Sequence, residues 1–384
     1  MPRCCIPNAY PDREREHRMN VAEEVVDWLY REQLQIDEQW SYLLPTGFTW
    51  WADQYAQTVE MVREETGPSG ETGYLVCVRT ELLRELDLTD TALEGINAIS
   101  MQCASMSGPV YDVAARRLDL WTLVRLHDDN GSWMRFLLGA AAVLQLAEAR
   151  ALAPLLADTV GALPATSDHP ESGVREVPDE MAFAAGIFVR SGDEPCAWTA
   201  SEFRELVDEF GNHPPAVAAA AGQHGFTVEF PFGERTSLCQ VLGDQPHPLY
   251  GNGLLVLQRF PVEVGSEAEG VRLALSLNAA DLTRRVTGYG FGSYVYADAM
   301  IHFTGFVPNA LHKPGLLPNL YFSCAARAQA MEARFVEGDW DADAFTVDPV
   351  VFARRQERQQ SIQPIIERPV RGCPMMRARA EGAQ

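Results

Sequence analysis

The sequence predicts an α+β protein of two related domains, each an antiparallel sheet flanked by helices in the order helix, strands, helix, strand, helix. The first observation is a repeated tripeptide: Gly47-Phe48-Thr49 recurs as Gly225-Phe226-Thr227, 178 positions later. The second is that other short sequences recur in the same order, with Glu94-Gly95-Ile96 matched by Glu269-Gly270-Val271. Chance readily produces one short match but seldom several in one order. We therefore expect an internal duplication.

The composition supports a folded protein with two or three domains. The chain has 384 residues, of which 47% are apolar and 22% charged, so it can bury substantial cores. Its formal net charge of −22 argues against nucleic acid or an anionic membrane as a main partner, because both require a basic surface. Neutral or basic partners fit this charge.

Cysteine usage and hydropathy predict a cytoplasmic protein. The longest central apolar run, Phe136 to Leu144, is far shorter than the ~20 residues that cross a bilayer. The first residues contain no apolar stretch typical of a secretory signal. The eight cysteines form no C-x-x-C pair, which is typical of a reducing compartment.

The first predicted repeat covers residues 20–150, after a lead (1–19) that we expect to be disordered and in which Met19 is a second candidate start. Asn20 and Glu23 resemble a capping box that opens an amphipathic helix. The pattern then predicts the following elements: a short helix at Ile36 to Leu44, strands at Tyr55 to Val62 and Tyr74 to Val78, a helix from Thr91 to Ser105, a strand at Leu118 to Leu126 and a helix from Trp133 to Arg150.

The second repeat is predicted at residues 199–336, after a Pro- and Ser-containing linker (151–198) with a short strand at Ala185 to Arg190. Its elements are a helix capped by Thr199 or Ser201, strands around Thr227 and Leu255, a helix near Val271, one strand from Tyr294 to Phe306 and a closing helix. Residues 337–384 are predicted to be an irregular, basic tail. Between Phe352 and Gln384 it carries seven Arg against three Glu, so it is either a solvated tail or an arm that docks on an acidic surface.

Strong catalytic motifs are absent, and we predict no catalytic, cofactor-binding or metal-binding residue. The sequence contains no phosphate-loop motif, no H-E-x-x-H and no G-x-S-x-G. The glycine-rich stretch Gly288 to Ser293 precedes a predicted strand instead of a helix, so a flexible turn is favoured over a phosphate site.

Scattered polar residues offer only weak candidate sites. His127-Asp128-Asp129 could hold a cation or perform acid–base chemistry, but the Asn130-Gly131 that follows favours a turn. His302 and Cys239 have apolar neighbours, which favours core positions. Three further histidines are too dispersed along the chain to predict a metal site: His224, His247 and His312.

Trp40, Trp50 and Trp51 form the densest aromatic group in the sequence. Core packing is the default interpretation of such a group. Because neighbouring residues of a strand face opposite sides, Trp50 and Trp51 cannot both face one core. We therefore predict that this group contributes to a partner-binding surface.

The element order of residues 20–150 and 199–336, with the acidic charge and the missing catalytic motifs, resembles the type III secretion chaperone-like fold, which includes the YbjN family. The resemblance implies a protein- or peptide-binding module that acts as a dimer. In a tandem copy it implies an internal pseudo-dimer or a homodimer.

These observations predict a non-catalytic protein that binds a protein or an extended peptide through a sheet edge or an apolar groove. The alternative is an enzyme with an unrecognised site, such as a hydrolytic one, in the cleft between the repeats. A third hypothesis is a degenerate duplicate with a structural role in a larger assembly.

Overall fold

The computed structural model describes residues 19–66, 70–103, 105–189, 197–211, 213–283 and 291–337. They form two antiparallel sheets flanked by helices, which confirms the predicted α+β class. The first half contains α1 (Val21–Trp28), β1 (Ser41–Leu44), β2 (Gly47–Trp51), β3 (Ala56–Thr66), β4 (Thr72–Arg84), α2 (Asp90–Cys103), β5 (Gly108–Asp112), β6 (Arg117–Leu126) and α3 (Gly131–Val160).

The second half repeats this order element by element, after a connecting strand β7 (Leu163–Pro164) that pairs with β4. It contains α4 (Ala200–Leu206), β8 (Ala218–Ala221), β9 (Gly225–Phe232), β10 (Arg235–His247), β11 (Gly251–Glu263), α5 (Glu267–Thr283), β12 (Ser293–Ala297), β13 (Met300–Pro308) and α6 (Leu316–Glu332). The strand order is β1-β2-β3-β4-β6-β5 in the first sheet and β8-β9-β10-β11-β13-β12 in the second. The two halves therefore share one topology, as the predicted duplication requires.

The repeated tripeptide Gly-Phe-Thr occupies the same structural position in both halves, and its glycine is required there for the same reason. A Cβ atom on Gly47 would lie 2.0 Å from the carbonyl oxygen of Val59, and one on Gly225 would lie 2.1 Å from the carbonyl oxygen of Val241. Only glycine allows this close approach between the second and third strands. The phenylalanine that follows each glycine is buried in the core.

In each half a buried glutamine on a strand bonds the sheet to the closing helix. In the first half, Gln57 Nε2 donates to the carbonyl oxygen of Ala142 (2.9 Å) and to Thr80 Oγ1 (2.7 Å). In the second half, Gln258 Nε2 donates to the carbonyl oxygen of Cys324 (2.8 Å) and to the hydroxyl oxygen of Ser237 (3.3 Å). Both glutamines are fully buried, so these bonds satisfy groups that would otherwise destabilise the core.

The two halves contact each other through helices and edge strands. Asn97 in α2 donates to the carbonyl oxygen of Tyr296 in β12 (2.8 Å) and accepts from the backbone N–H of the same residue (3.0 Å). Ile96 of α2 and Val271 of α5, which occupy equivalent positions in the two repeats, lie in one buried cluster. A second core cluster combines Phe48 with Phe226, so residues of both halves are buried together.

Helix α3 lies at the centre of this shared core. By length and composition alone it could cross a membrane, because an 18-residue window of the helix has a mean hydropathy of 1.5. However, 78% of that window is buried inside the fold. Such burial is what the core helix of a soluble protein shows. It is the one described helix that meets this test.

The structure differs from the sequence predictions in several elements, and the predicted strand from Tyr294 to Phe306 is the hairpin of β12 and β13. Helix α3 continues to Val160 instead of ending at Arg150, although it contains Pro154. Within the predicted strand at Ala185 to Arg190, residues 185–188 belong to a 3-10 helix, Glu180–Phe188, which begins where Asp179 accepts a bond from the N–H of Met181, and Arg190 lies outside the described residues. The predicted short helix at Ile36 to Leu44 is one 3-10 turn, Glu38–Trp40, followed by β1.

Candidate binding groove

The segment between the halves, which the sequence presents as a linker, packs against the first sheet. Ala165 N–H donates to the carbonyl oxygen of Leu82 (3.0 Å), and Ser167 N–H donates to that of Gln54 (2.9 Å). Trp51 Nε1 donates to Ser167 Oγ (3.0 Å). The segment therefore covers the sheet at Trp51, and among the residues that the structure describes it has no counterpart after α6.

An open groove of about 940 Å³ lies between this segment and the first half. Leu34, Gln35 and Trp40 form one wall, and residues 172 and 174–181 together with Ala184 form the other. Its volume falls in the range typical of ligand-binding sites. We call it the Trp40 groove.

Arg175 holds the segment between the halves against Trp40 and Trp51. Its guanidinium lies 5.1 Å from the Trp40 ring centroid and donates to the carbonyl oxygen of Trp51 (2.5 Å). It also pairs with Asp179 at 3.0 Å and with Asp37 at 4.0 Å. Because two carboxylates balance this buried cation, Arg175 supports the wall without making the groove basic.

The remaining charges of the Trp40 groove are negative. Glu176 and Glu180 line it, and no residue in the described part of the chain forms an ion pair with either carboxylate. A cationic ligand would therefore be attracted to this surface, and an anionic one repelled.

Exposed apolar side chains lie in the two parts of the chain that line the groove, and two of them, Val174 and Val177, line it themselves. Val177 is 79% exposed and Ile187 is 70% exposed, both in the segment between the halves, and Leu43 in β1 is 68% exposed. Four others belong to the same two regions: Tyr42, Val174, Phe183 and Val189. A concentration of exposed apolar groups of this kind marks a binding surface.

Strand β1 adds a sheet edge beside the groove. Within the described residues it pairs only with β2. His169 Nε2 lies 3.2 Å from the carbonyl oxygen of Ser41, and Ser172 Oγ donates to that of Gln39 (2.8 Å), so the segment between the halves covers the beginning of this edge. Leu43 lies beyond the covered part.

The three tryptophans predicted as a partner surface lie in three different environments. Trp40 lines the groove. Trp50 is fully buried in the core and donates from Nε1 to Gln57 Oε1 (3.0 Å). Trp51 is buried on the opposite face, where it packs edge-on against His169 with ring centroids 5.0 Å apart. Of the three, only Trp40 is accessible to a ligand.

A second polar cluster lies between the halves, around the buried Glu148 of α3. Its carboxylate accepts hydrogen bonds from Ser105, Ser107 and Tyr250, the last of which belongs to the second half. Burial raises the pKa of Glu148 to about 7, although these three hydrogen bonds oppose the shift. The adjoining cavity measures about 30 Å³, which accommodates about one water molecule and no organic substrate.

The other predicted polar candidates do not converge. His127-Asp128-Asp129 forms the turn before α3, where the His127 N–H donates to Asn130 Oδ1 (2.9 Å). Neither aspartate lines the Trp40 groove. Across the part of the chain that the structure describes, no group of three His, Cys, Asp or Glu could hold a metal ion. The predicted glycine-rich turn falls, from Gly288 to Gly290, outside the described residues.

The histidines and Cys239 occupy separate positions. His302 Nε2 lies 3.1 Å from the carbonyl oxygen of Ala297, and burial lowers the pKa of its imidazole. His247 is buried between the rings of Tyr250 and Phe306, and His312 lies 2.7 Å from Glu202. His224 lies in the turn before β9. Cys239 is fully buried.

No family model matches this chain, and neither a curated protein nor a solved structure matches it. The resemblance to type III secretion chaperone-like proteins stays a prediction from element order.

Sequence reasoning missed one whole wall of the groove, because residues 151–198 were interpreted as a linker. Two local signals in this stretch indicate packing. Met181 to Phe188 is almost entirely apolar, and Val174 and Val177 flank a charged pair, Arg175 and Glu176. An apolar run is not expected in a solvated linker.

Proposed function

We propose that this protein is a cytoplasmic, non-catalytic binding protein that holds an extended segment of a partner protein in the Trp40 groove. One observation carries the proposal: an open groove with an aromatic wall lies beside exposed apolar side chains and the edge of β1. Extended peptides are recognised by such combinations, in which pockets receive side chains and a strand edge supplies backbone hydrogen bonds.

The charge of the groove defines the chemistry of the partner segment. Glu176 and Glu180 face the ligand, and Arg175 is balanced by Asp179. We therefore propose a segment in which apolar side chains alternate with Arg or Lys. The formal net charge of −22 would also draw such a partner toward the protein from a distance.

The relation between the halves fits the predicted chaperone-like class. In the proposed arrangement the two halves pair as an internal pseudo-dimer, which is supported by the Asn97–Tyr296 hydrogen bonds and by the shared core. The groove then belongs to the first half, because within the described part of the chain only that half carries the added segment.

A peptide-display selection tests this function. The full-length native chain is the target of one selection, and the full-length W40A variant is the target of a matched control selection. We expect the native chain to enrich peptides with apolar residues and net positive charge, and W40A to lose this enrichment. Enrichment of acidic peptides, or the same enrichment on both baits, would overturn the proposal.

A further inference from the structure

A segment of this chain itself has the chemistry that the Trp40 groove requires. Residues 362–371 combine four apolar side chains with two arginines, Arg368 and Arg371. Pro364 and Pro369 fix φ at two positions and disfavour helix, which favours an extended segment. With Glu367 the segment carries a net charge of +1, so its sequence is apolar and weakly basic.

We propose that residues 362–371 occupy the Trp40 groove of their own molecule and compete with the partner segment. This inference rests on the proposed function, since it assigns an internal competitor to the same site. Arg368 and Arg371 complement Glu176 and Glu180, and the isoleucine and valine side chains of the segment complement the exposed apolar rim.

The length of the connection permits this contact. The described structure ends at Glu337, and 24 residues separate it from Ile362. Fully extended, they would span about 80 Å. A compact domain of roughly this size has a radius of gyration of about 20 Å, so the segment reaches any face. Tethering gives it an effective concentration on the order of millimolar.

The charge pattern of residues 338–361, which connect Glu337 to the segment, favours a contact in the later part of the C-terminal tail. Four aspartates lie between Glu337 and Phe352: Asp339, Asp341, Asp343 and Asp348. This acidic stretch would be repelled by Glu176 and Glu180. The basic positions begin only beyond it, at Arg354, and residues 362–371 are the first stretch there in which an arginine, Arg368, lies between branched aliphatic side chains, Ile366 and Val370.

The test compares two charge-reversed forms of the full-length chain. R368E/R371E alters the proposed contact, and R377E/R379E makes the same charge change outside the apolar run. Hydrogen–deuterium exchange is followed at residues 37–44 and 172–181. A peptide obtained by display selection reports access to the groove.

We expect R368E/R371E, but not the control, to exchange faster at both groove regions and to bind the selected peptide about tenfold more tightly, because an internal competitor lowers apparent affinity. If both variants behave as the native chain and the peptide still binds, the internal contact is disproved while the proposed function stands. If no form binds the peptide, the proposed function fails. If hydrogen–deuterium exchange in R368E/R371E is also the same as in the native chain, the internal contact fails as well. Protection that increases with protein concentration would assign the contact to a second copy and contradict the intramolecular form.

Discussion

Glu148 is a carboxylic acid in an environment that disfavours its charge. Its pKa is raised to about 7 from an ordinary value of 4.5, because the side chain is fully buried. The folded protein therefore binds this proton more tightly than the unfolded chain does. The free energy of unfolding should fall by roughly 3 kcal/mol as pH rises from about 4.5 to about 7, which urea titrations across this range measure.

The E148Q variant isolates this effect. Glutamine accepts and donates hydrogen bonds but does not titrate, so the decrease in unfolding free energy should become smaller. A residual decrease is expected from Asp119, whose pKa burial raises to about 6. An unchanged pH dependence in E148Q would show that Glu148 is ionised at low cost in the folded state.

Strand pairing depends on glycine at matching positions of the two halves. The G47A and G225A variants should each lose about 2 kcal/mol of stability or more, because the added methyl group would overlap the carbonyl oxygen of Val59 or Val241. Urea unfolding measures both values. G186A is the matched control, since nothing lies within 4 Å of its added Cβ, and it should change stability by less than about 0.5 kcal/mol. If all three variants lost the same unfolding free energy, the close strand approach would not explain why Gly47 and Gly225 are glycine.

At the scale of elements, the sequence predicts what local chemistry determines. The capping box predicted at Asn20 and Glu23 forms, and of the two predicted caps of α4, Thr199 and Ser201, the N-cap is Thr199, which forms a capping box with Glu202. The β12–β13 hairpin was predicted as one strand. Its turn uses Asp298 and Ala299 at positive φ (49° and 59°), and alanine gives no turn signal.

The candidate site was less predictable because it is assembled over long sequence distances. The sequence singles out Trp40 as part of an aromatic group, but its groove needs Arg175 and Val177, more than 130 residues further along the chain. Which tryptophan is accessible depends on the segment that covers Trp51. Periodicity describes one element at a time and contains no information about such packing.

At the scale of the molecule, the two halves should unfold together. Phe48 and Phe226 belong to one core cluster, and Tyr250 of the second half donates to Glu148 and to the carbonyl oxygen of Leu144 in the first. Separating the halves would expose this core, so calorimetry should show one transition whose calorimetric and van't Hoff enthalpies agree. Two resolved transitions would mean that each half is stable alone.

The proposed groove is tested most directly by the affinity of a display-selected peptide for three forms of the full-length chain. Trp40 forms one wall of the groove, whereas Val113 is 77% exposed in the turn after β5 and serves as the control position. W40A should weaken binding at least about tenfold, since truncating an aromatic anchor costs more than ~1 kcal/mol, and V113A should bind as the native chain does. If W40A binds the peptide with native affinity, the ligand occupies another surface and the proposed site is wrong.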